Sequence, residues 1–251
     1  MISTDNIRSR YEKLFGWCGD SMIKSYFEGY IGTGYAEKEN EPAWAAVRSG
    51  DYLFLAGGPE NISGLVSIIK DGDVIIPEKN VWLSELDSFG IKFKEITRYK
   101  LRLSEKGLDR EKLESEARQI ARFKRGSLRF AGKEEYEELK NCDWENSFVT
   151  HFRDFEDFEK NGFACCAYQG TELVSAASTF GYYSRGYELQ IATRPDSRQL
   201  GFAKICAAAF LLECLKRGKT PHWDAAHPVS SHLAQELGFE PDGEYTAYIK
   251  A

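Results

Sequence analysis

The chain has 251 residues, 42% of them hydrophobic and 14% aromatic, with a formal net charge of −6 at pH 7. That content suits one large domain or two of ordinary size. The acidic balance argues against a general nucleic-acid binder, which needs a basic face, and is compatible with a cationic substrate such as an amine.

The first residues, MISTDNIRSRYEKLFG, hold no apolar signal-peptide core. No stretch approaches the roughly 18 apolar residues of a membrane span. Cys18, Cys142, Cys165, Cys166, Cys206 and Cys214 form no CxxC pair, and the adjacent Cys165 and Cys166 read as buried reduced thiols. A cytoplasmic location without membrane contact is the expectation. No metal is expected, because His151, His222, His227 and His232 lack ligand spacing to the cysteines.

In the first half, residues 20–32 and 43–49 read as helices, with Asp20 placed to cap the first. Residues 51–56 (DYLFLA) and 65–76 (LVSIIKDGDVII) read as strands, the second turning at Asp71-Gly72 as a hairpin does. Residues 91–103 alternate polar and apolar like a half-buried strand, and 109–122 are amphipathic with Asp109 at the start. Gly57-Gly58-Pro59 reads as a plain turn. The polar break KRGS (124–127) separates an N-terminal domain, 1–126, from a C-terminal one, 127–251.

The second half starts with a strand at 127–131, a charged helix at 133–140 and a further helix over 147–160. FACCAY and ELVSAASTF form a hairpin about Gln169-Gly170-Thr171. The strand YELQIAT leads through a Gly-bearing loop into the apolar helix 202–217, which Gly218 ends. A strand at 221–226, a helix at 229–237 and an extended segment at 244–250 complete the chain.

The most informative stretch is YELQIATRPDSRQLGFA, residues 187–203. A strand that turns through glycine into a long helix presents free N–H groups where the helix dipole favours an anion. Gly201 permits close backbone approach, Ala203 leaves the helix start uncrowded, and Arg198 adds charge-assisted bonds to phosphate oxygens. A glycine at an ordinary strand–helix turn is the alternative. No GK[ST] and no GxGxxG occurs, which removes the Walker and dinucleotide readings.

Residues 127–251 resemble the GCN5-related N-acetyltransferase (GNAT) superfamily. The element order β-α-α-β-β-β-α-β-α-β matches that fold. R-x-x-G-x-A at 198–203 is similar to its pyrophosphate loop, and HPVSSHLAQELGF to its downstream N-x-x-A/S-x-x-L-x-x-x-x-GF helix. PHWDA resembles the P-x-WDA signature of zwittermicin-resistance-type members, which carry an extra N-terminal half. The fold expected is therefore mixed α/β (α+β). A C-terminal GNAT domain would have a mixed sheet splayed at the cofactor site, and the smaller α/β domain before it reads as a degenerate GNAT-like half.

The resemblance implies acetyl-CoA as co-substrate and a small-molecule primary amine as acceptor, joined by direct attack in a ternary complex. Ile191, Ala192 and Thr193 would pair with pantetheine, an N–H of Ile191 or Ala192 holding the oxyanion. Arg198, Gln199, Leu200, Gly201, Phe202 and Ala203 would cradle the pyrophosphate, with His227 and Ser230 beside the cofactor. Glu188 stands where many relatives carry the general base, and otherwise reads as a surface strand glutamate. Asp224 would orient the amine or a backbone group. Asp143, Trp144 and Glu145 would flank the acceptor cleft or form a loop around a half-buried tryptophan. Two departures stand out: Ala234 replaces the tyrosine that often protonates the thiolate, leaving water, Ser230, His227 or another residue for that role, or a thiolate that departs without a protein acid, and His227 stands where Asn is usual. A non-catalytic acyl-CoA-binding regulatory module is the alternative function.

Overall fold

Residues 1–6 and 8–250 are described by the computed structural model. They divide into two compact units, Met1–Arg98 with Glu244–Ala251, and Tyr99–Gly243. These divisions fall elsewhere than the polar break at 124–127.

The first unit runs β1 (Ile2–Ser3), two 3-10 turns (Arg8–Arg10, Glu12–Phe15), α1 (Ser21–Phe27), β2 (Thr33–Ala36), β3 (Trp44–Ser49) and β4 (Tyr52–Gly57). It continues with α2 (Ser63–Val66), β5 (Val74–Pro77) and α3 (Val81–Ser88). Strands β1 to β4 pair antiparallel in sequence order, β5 pairs parallel with β4, and the end of β12 (Phe239–Lys250) pairs antiparallel with β5. Asp20 caps α1 as expected, accepting from Met22 N at 2.7 Å.

Two expectations fail here. Residues 43–49 are strand β3, not helix. Trp44, Ala45, Ala46 and Val47 are all buried, and a strand covered on both faces loses the alternation that identifies strands. Residues 65–76 are not a hairpin. Leu65 ends up in α2 and Ile69 in the turn after it, because a parallel β5 needs a crossover rather than a tight turn.

That crossover is fastened by a buried ion pair. Arg48 on β3 grips Asp73 with two bonds of 2.7 Å and also donates to the Ile68 carbonyl at 2.8 Å. Asp73 is 4% exposed and also accepts from Lys70 N at 2.7 Å. Removing one partner leaves a desolvated charge, so Asp73→Ala is expected to cost about 3–5 kcal/mol in urea unfolding. A loss below about 1 kcal/mol would show that the pair is dispensable.

The second unit takes the end of β6 (Phe93–Leu103), then α4 (Arg110–Arg118) with a 3-10 turn (Gln119–Arg122), β7 (Gly126–Phe130), α5 (Lys133–Lys140) and α6 (Phe155–Asn161). It continues with β8 (Ala164–Gln169), β9 (Glu172–Tyr183), β10 (Gly186–Thr193), α7 (Phe202–Arg217), β11 (Thr220–Ala225) and α8 (Pro228–Glu236). Its strands lie in the order β6-β11-β10-β9-β8-β7, all antiparallel except β10 with β11. The helix expected over 147–160 forms only as α6, because Asp154 caps a new start by accepting from Asp157 N at 2.8 Å. Phe148, Val149 and Phe152 instead enter the core from turns.

The two units repeat one plan. Each has antiparallel strands, a helix, a parallel strand and a further helix. In each, the parallel strand is flanked by a strand from the other half of the sequence: β12 beside β5, β6 beside β11. The mixed α/β architecture is thereby present in both units.

His151 lies in the turn before α6, edge-on to Phe180 with ring centroids 4.4 Å apart. Burial lowers its pKa to about 4. The folded state therefore holds it neutral while the unfolded chain binds a proton near 6.5, so its contribution is present above pH 6.5 and lost as pH falls toward 4. Thermal melts should show about 1–2 kcal/mol of such loss after allowing for partial exposure. His151→Phe should flatten it, and an identical pH profile would rule the residue out.

Candidate active site

The parallel pairing of β10 with β11 runs from Gly186↔Thr220 to Glu188↔His222. Beyond it the strands part: β10 stays on β9 as far as Thr193↔Ser175, and β11 goes with β6 through Trp223↔Leu101 to Ala225↔Tyr99. Leu189–Thr193 thus form one wall of a cleft.

Strand alternation shows which amides face that cleft. Arg194 N donates to Val174 O on β9 at 2.9 Å, and successive N–H groups point to opposite edges. Ala192 N–H therefore points to β9, while those of Ile191 and Thr193 point into the cleft. Of the two N–H groups that the sequence left open, that of Ile191 is the one facing the cleft.

Glu188 sits at the fork and is buried. Its Oε1 accepts from Asp224 N at 3.0 Å, so the side chain takes the place of a strand partner where β11 has turned away. Tyr183 OH and His222 Nε2 lie 2.9 Å apart at the closed end of the fork. A Cβ on Gly186 would sit 2.7 Å from Tyr183 and 3.0 Å from His222, so glycine makes room for this pair. Gln190, the next residue on the Glu188 face, donates to Ser147 Oγ at 2.9 Å, and Glu145 accepts from Ser147 N at 2.9 Å. The 145–147 loop is so moored to the strand that carries Glu188.

At the other end of β10 the chain passes through a 3-10 turn (Pro195–Ser197) to α7. Gln199 at φ +62° and Gly201 at φ +95° take the left-handed conformation, Gly201 as the N-cap of α7. Arg198 is exposed and donates through Nε to the Thr193 carbonyl at 3.2 Å. Leu200 is exposed, its carbonyl accepting from Arg122. Phe202 is buried and stacks on Phe123 at 4.1 Å, and Ala203 is half-buried behind it. The loop leaves the first amides of a 16-residue helix facing outward, which fits a phosphorylated group.

His227 is the exposed N-cap residue of α8, and Ser230 Oγ accepts from the Trp223 indole at 3.1 Å. Ala234 is fully buried. A groove of about 440 Å³ is lined by Glu138, Cys142, Asp143, Trp144, Glu172 and Arg194, among others. Arg194 pairs there with Glu172 at 2.6 Å and with Asp196 at 2.8 Å. Trp144 is edge-on to Phe148 at 5.5 Å, so the loop of acids is anchored through its aromatic ring.

The sequence pattern of GNAT acetyltransferases matches residues 12–248. The chain belongs to the GNAT acetyltransferase family. It is similar to a GCN5-related N-acetyltransferase-like protein from Streptococcus suis 89/1591, at 29% identity and TM-score 0.89 over 97% of this chain and 98% of that one. It is 30% identical over 103 residues to the uncharacterized N-acetyltransferase YdfB of Bacillus subtilis, a match spanning 40% of each. A tandem GNAT protein from the clavulanic acid biosynthesis pathway shares the fold, at TM-score 0.51 and 11% identity over 98% of this chain and 94% of that one.

Sequence reasoning missed His222, Tyr183 and Arg122, which are joined to the site only by sheet pairing and by a turn distant in sequence. Gly201→Ala is expected to cost about 1–2 kcal/mol, read as a lower midpoint of thermal unfolding, because alanine is strained at this φ. An unchanged midpoint would show that the loop relaxes.

Proposed function

We propose that this GNAT-family N-acetyltransferase transfers an acetyl group from acetyl-CoA to the primary amine of a small molecule, by direct attack with both bound in the cleft. The observation that carries the reading is the parting of β10 from β11 beside the left-handed start of α7. Acetyl-CoA, when bound, supplies an activated thioester. Ile191 and Thr193 would bond the pantetheine arm along the open edge, and Ile191 N–H would polarise the thioester carbonyl, a contribution of about 2.7–4 kcal/mol for a preorganised donor. Residues 198–203 would hold the pyrophosphate.

Glu188 would take the proton that an ammonium must lose before it attacks. Its bond to Asp224 N fixes the carboxylate at the mouth of the fork. Asp224 would orient the amine, and acids such as Glu138 and Asp143 on the groove suit a positively charged acceptor. The indole bond to Ser230 Oγ occupies an oxygen lone pair, leaving the O–H to point elsewhere, as a proton donor to the leaving sulfur must.

Direct attack is favoured over transfer through an enzyme thiol. Cys165, Cys166, Cys206 and Cys214 are buried, with burial pushing Cys206 up to about 12, and burial also raises the half-buried Cys142 on the groove, which disfavours a thiolate nucleophile. Six free cysteines also suit the cytoplasm. The PHWDA motif supports kinship with zwittermicin-resistance-type acetyltransferases. A non-catalytic acyl-CoA-binding module has one observation in its favour: the site of the usual tyrosine is the core residue Ala234.

Glu188→Gln separates the two readings, since its amide oxygen still accepts from Asp224 N. Thiol release over an amine panel should fall about 10²–10³-fold, with the Kd for acetyl-CoA within twofold of the parent. Undiminished turnover would remove Glu188 from the chemistry. Acetyl-CoA binding by the unmutated protein with no turnover on any amine would favour the module.

A further inference from the structure

We propose that Arg122, which lies outside the strand–loop–helix motif, is a ligand of the CoA pyrophosphate. The assignment rests on the acyl-CoA reading above. Arg122 closes the 3-10 turn after α4, and the stacking of Phe123 on Phe202 pins this turn beside the first residue of α7. Its Nη2 donates to the Leu200 carbonyl, and a Cβ built on Gly201 would lie 2.5 Å from that same nitrogen. The guanidinium therefore fills the space that the missing side chain of Gly201 leaves open, at the positive end of α7.

Electrostatics make this an anion site rather than a mere brace. Arg118 is paired with Glu114 at 3.4 Å and Arg194 with Glu172 and Asp196. Among the described residues no carboxylate pairs with Arg122. A guanidinium held against a helix N-terminus without a counter-ion is repelled by the dipole until an anion arrives. Lys124 and Arg125 add further positive charge to the same segment, in a chain of net charge −6. One N–H of the fork is used on Leu200, and the others remain to grip phosphate oxygens.

Calorimetric titration with CoA, dephospho-CoA and pantetheine, each against the parent and Arg122→Gln, tests this. The expected result is a Kd about tenfold weaker for CoA and for dephospho-CoA, with pantetheine unchanged. Arg122→Lys, which keeps the charge without the fork, should fall between, and Arg118→Gln should match the parent. Unchanged CoA affinity in Arg122→Gln would overturn the assignment. So would an equal loss for pantetheine, which would make Arg122 a strut for the loop, or a loss confined to CoA, which would move the contact to the 3′-phosphate. Absence of CoA binding by the unmutated protein would overturn the cofactor reading itself, and this assignment with it. Thermal unfolding establishes that each variant folds, and Arg122→Lys carries the test if Arg122→Gln does not.

Discussion

The constraint on which the site depends is that a sheet cannot open without finding new partners for its backbone. Where β10 and β11 part after Glu188 and His222, two rows of amide and carbonyl groups lose each other. Asp224 N–H, just past the fork, is satisfied by the Glu188 carboxylate at 3.0 Å. The amides of Ile191 and Thr193 face the open edge, where the Thr193 carbonyl accepts from Arg198 Nε at 3.2 Å. The side chain that satisfies the opened edge is thus that of Glu188 itself, so its carboxylate and the cleft are one structural device.

The first unit shows what the same plan does without that opening. Its parallel pair stays closed from Tyr52↔Val74 to Leu55↔Pro77, and Glu78 N extends the pairing by donating to the Leu55 carbonyl at 2.7 Å. Where the second unit has its loop, Gly57 N is taken by Glu78 Oε2 at 2.8 Å and the Gly57 carbonyl by the Trp82 indole at 3.1 Å. Trp44, fully buried, donates to the Glu60 carbonyl at 2.7 Å. The helix that follows has four residues against the 16 of α7. Indoles and a carboxylate take up the backbone groups at this end of the first unit's parallel pair, which stays closed.

What the sequence made legible follows from how local each feature is. The loop at 198–203 is legible because a glycine before an apolar helix is written in consecutive residues. The span of α7 matched because Phe202 to Arg217 carry both its apolar face and its basic last turn. Strand β3 is hidden in the sequence because AWAAV is helix-like in composition and Trp44 to Val47 are all buried, leaving no period of two. His222 gave no signal, since its meaning depends on Tyr183, 39 residues away, and on the empty space at Gly186. The domain boundary drawn at KRGS follows a real polar break, yet α4 before it packs on α7 after it, with Lys204 paired to Glu116 at 3.0 Å.

The exchange of closing strands bears on the cleft as well. Strand β11 needs a firm partner on its far edge where it leaves β10, and the pairing with β6 falls on Trp223, Asp224 and Ala225, the residues beyond the fork. A cleft held open by a strand from the first half of the sequence cannot form from residues 127–251 alone, because Tyr99, Lys100 and Leu101 would be missing from its edge. The first half of the sequence thus supports the opening through its last strand, β6. Losing β6 would cost β11 the backbone partners on its far edge where it leaves β10.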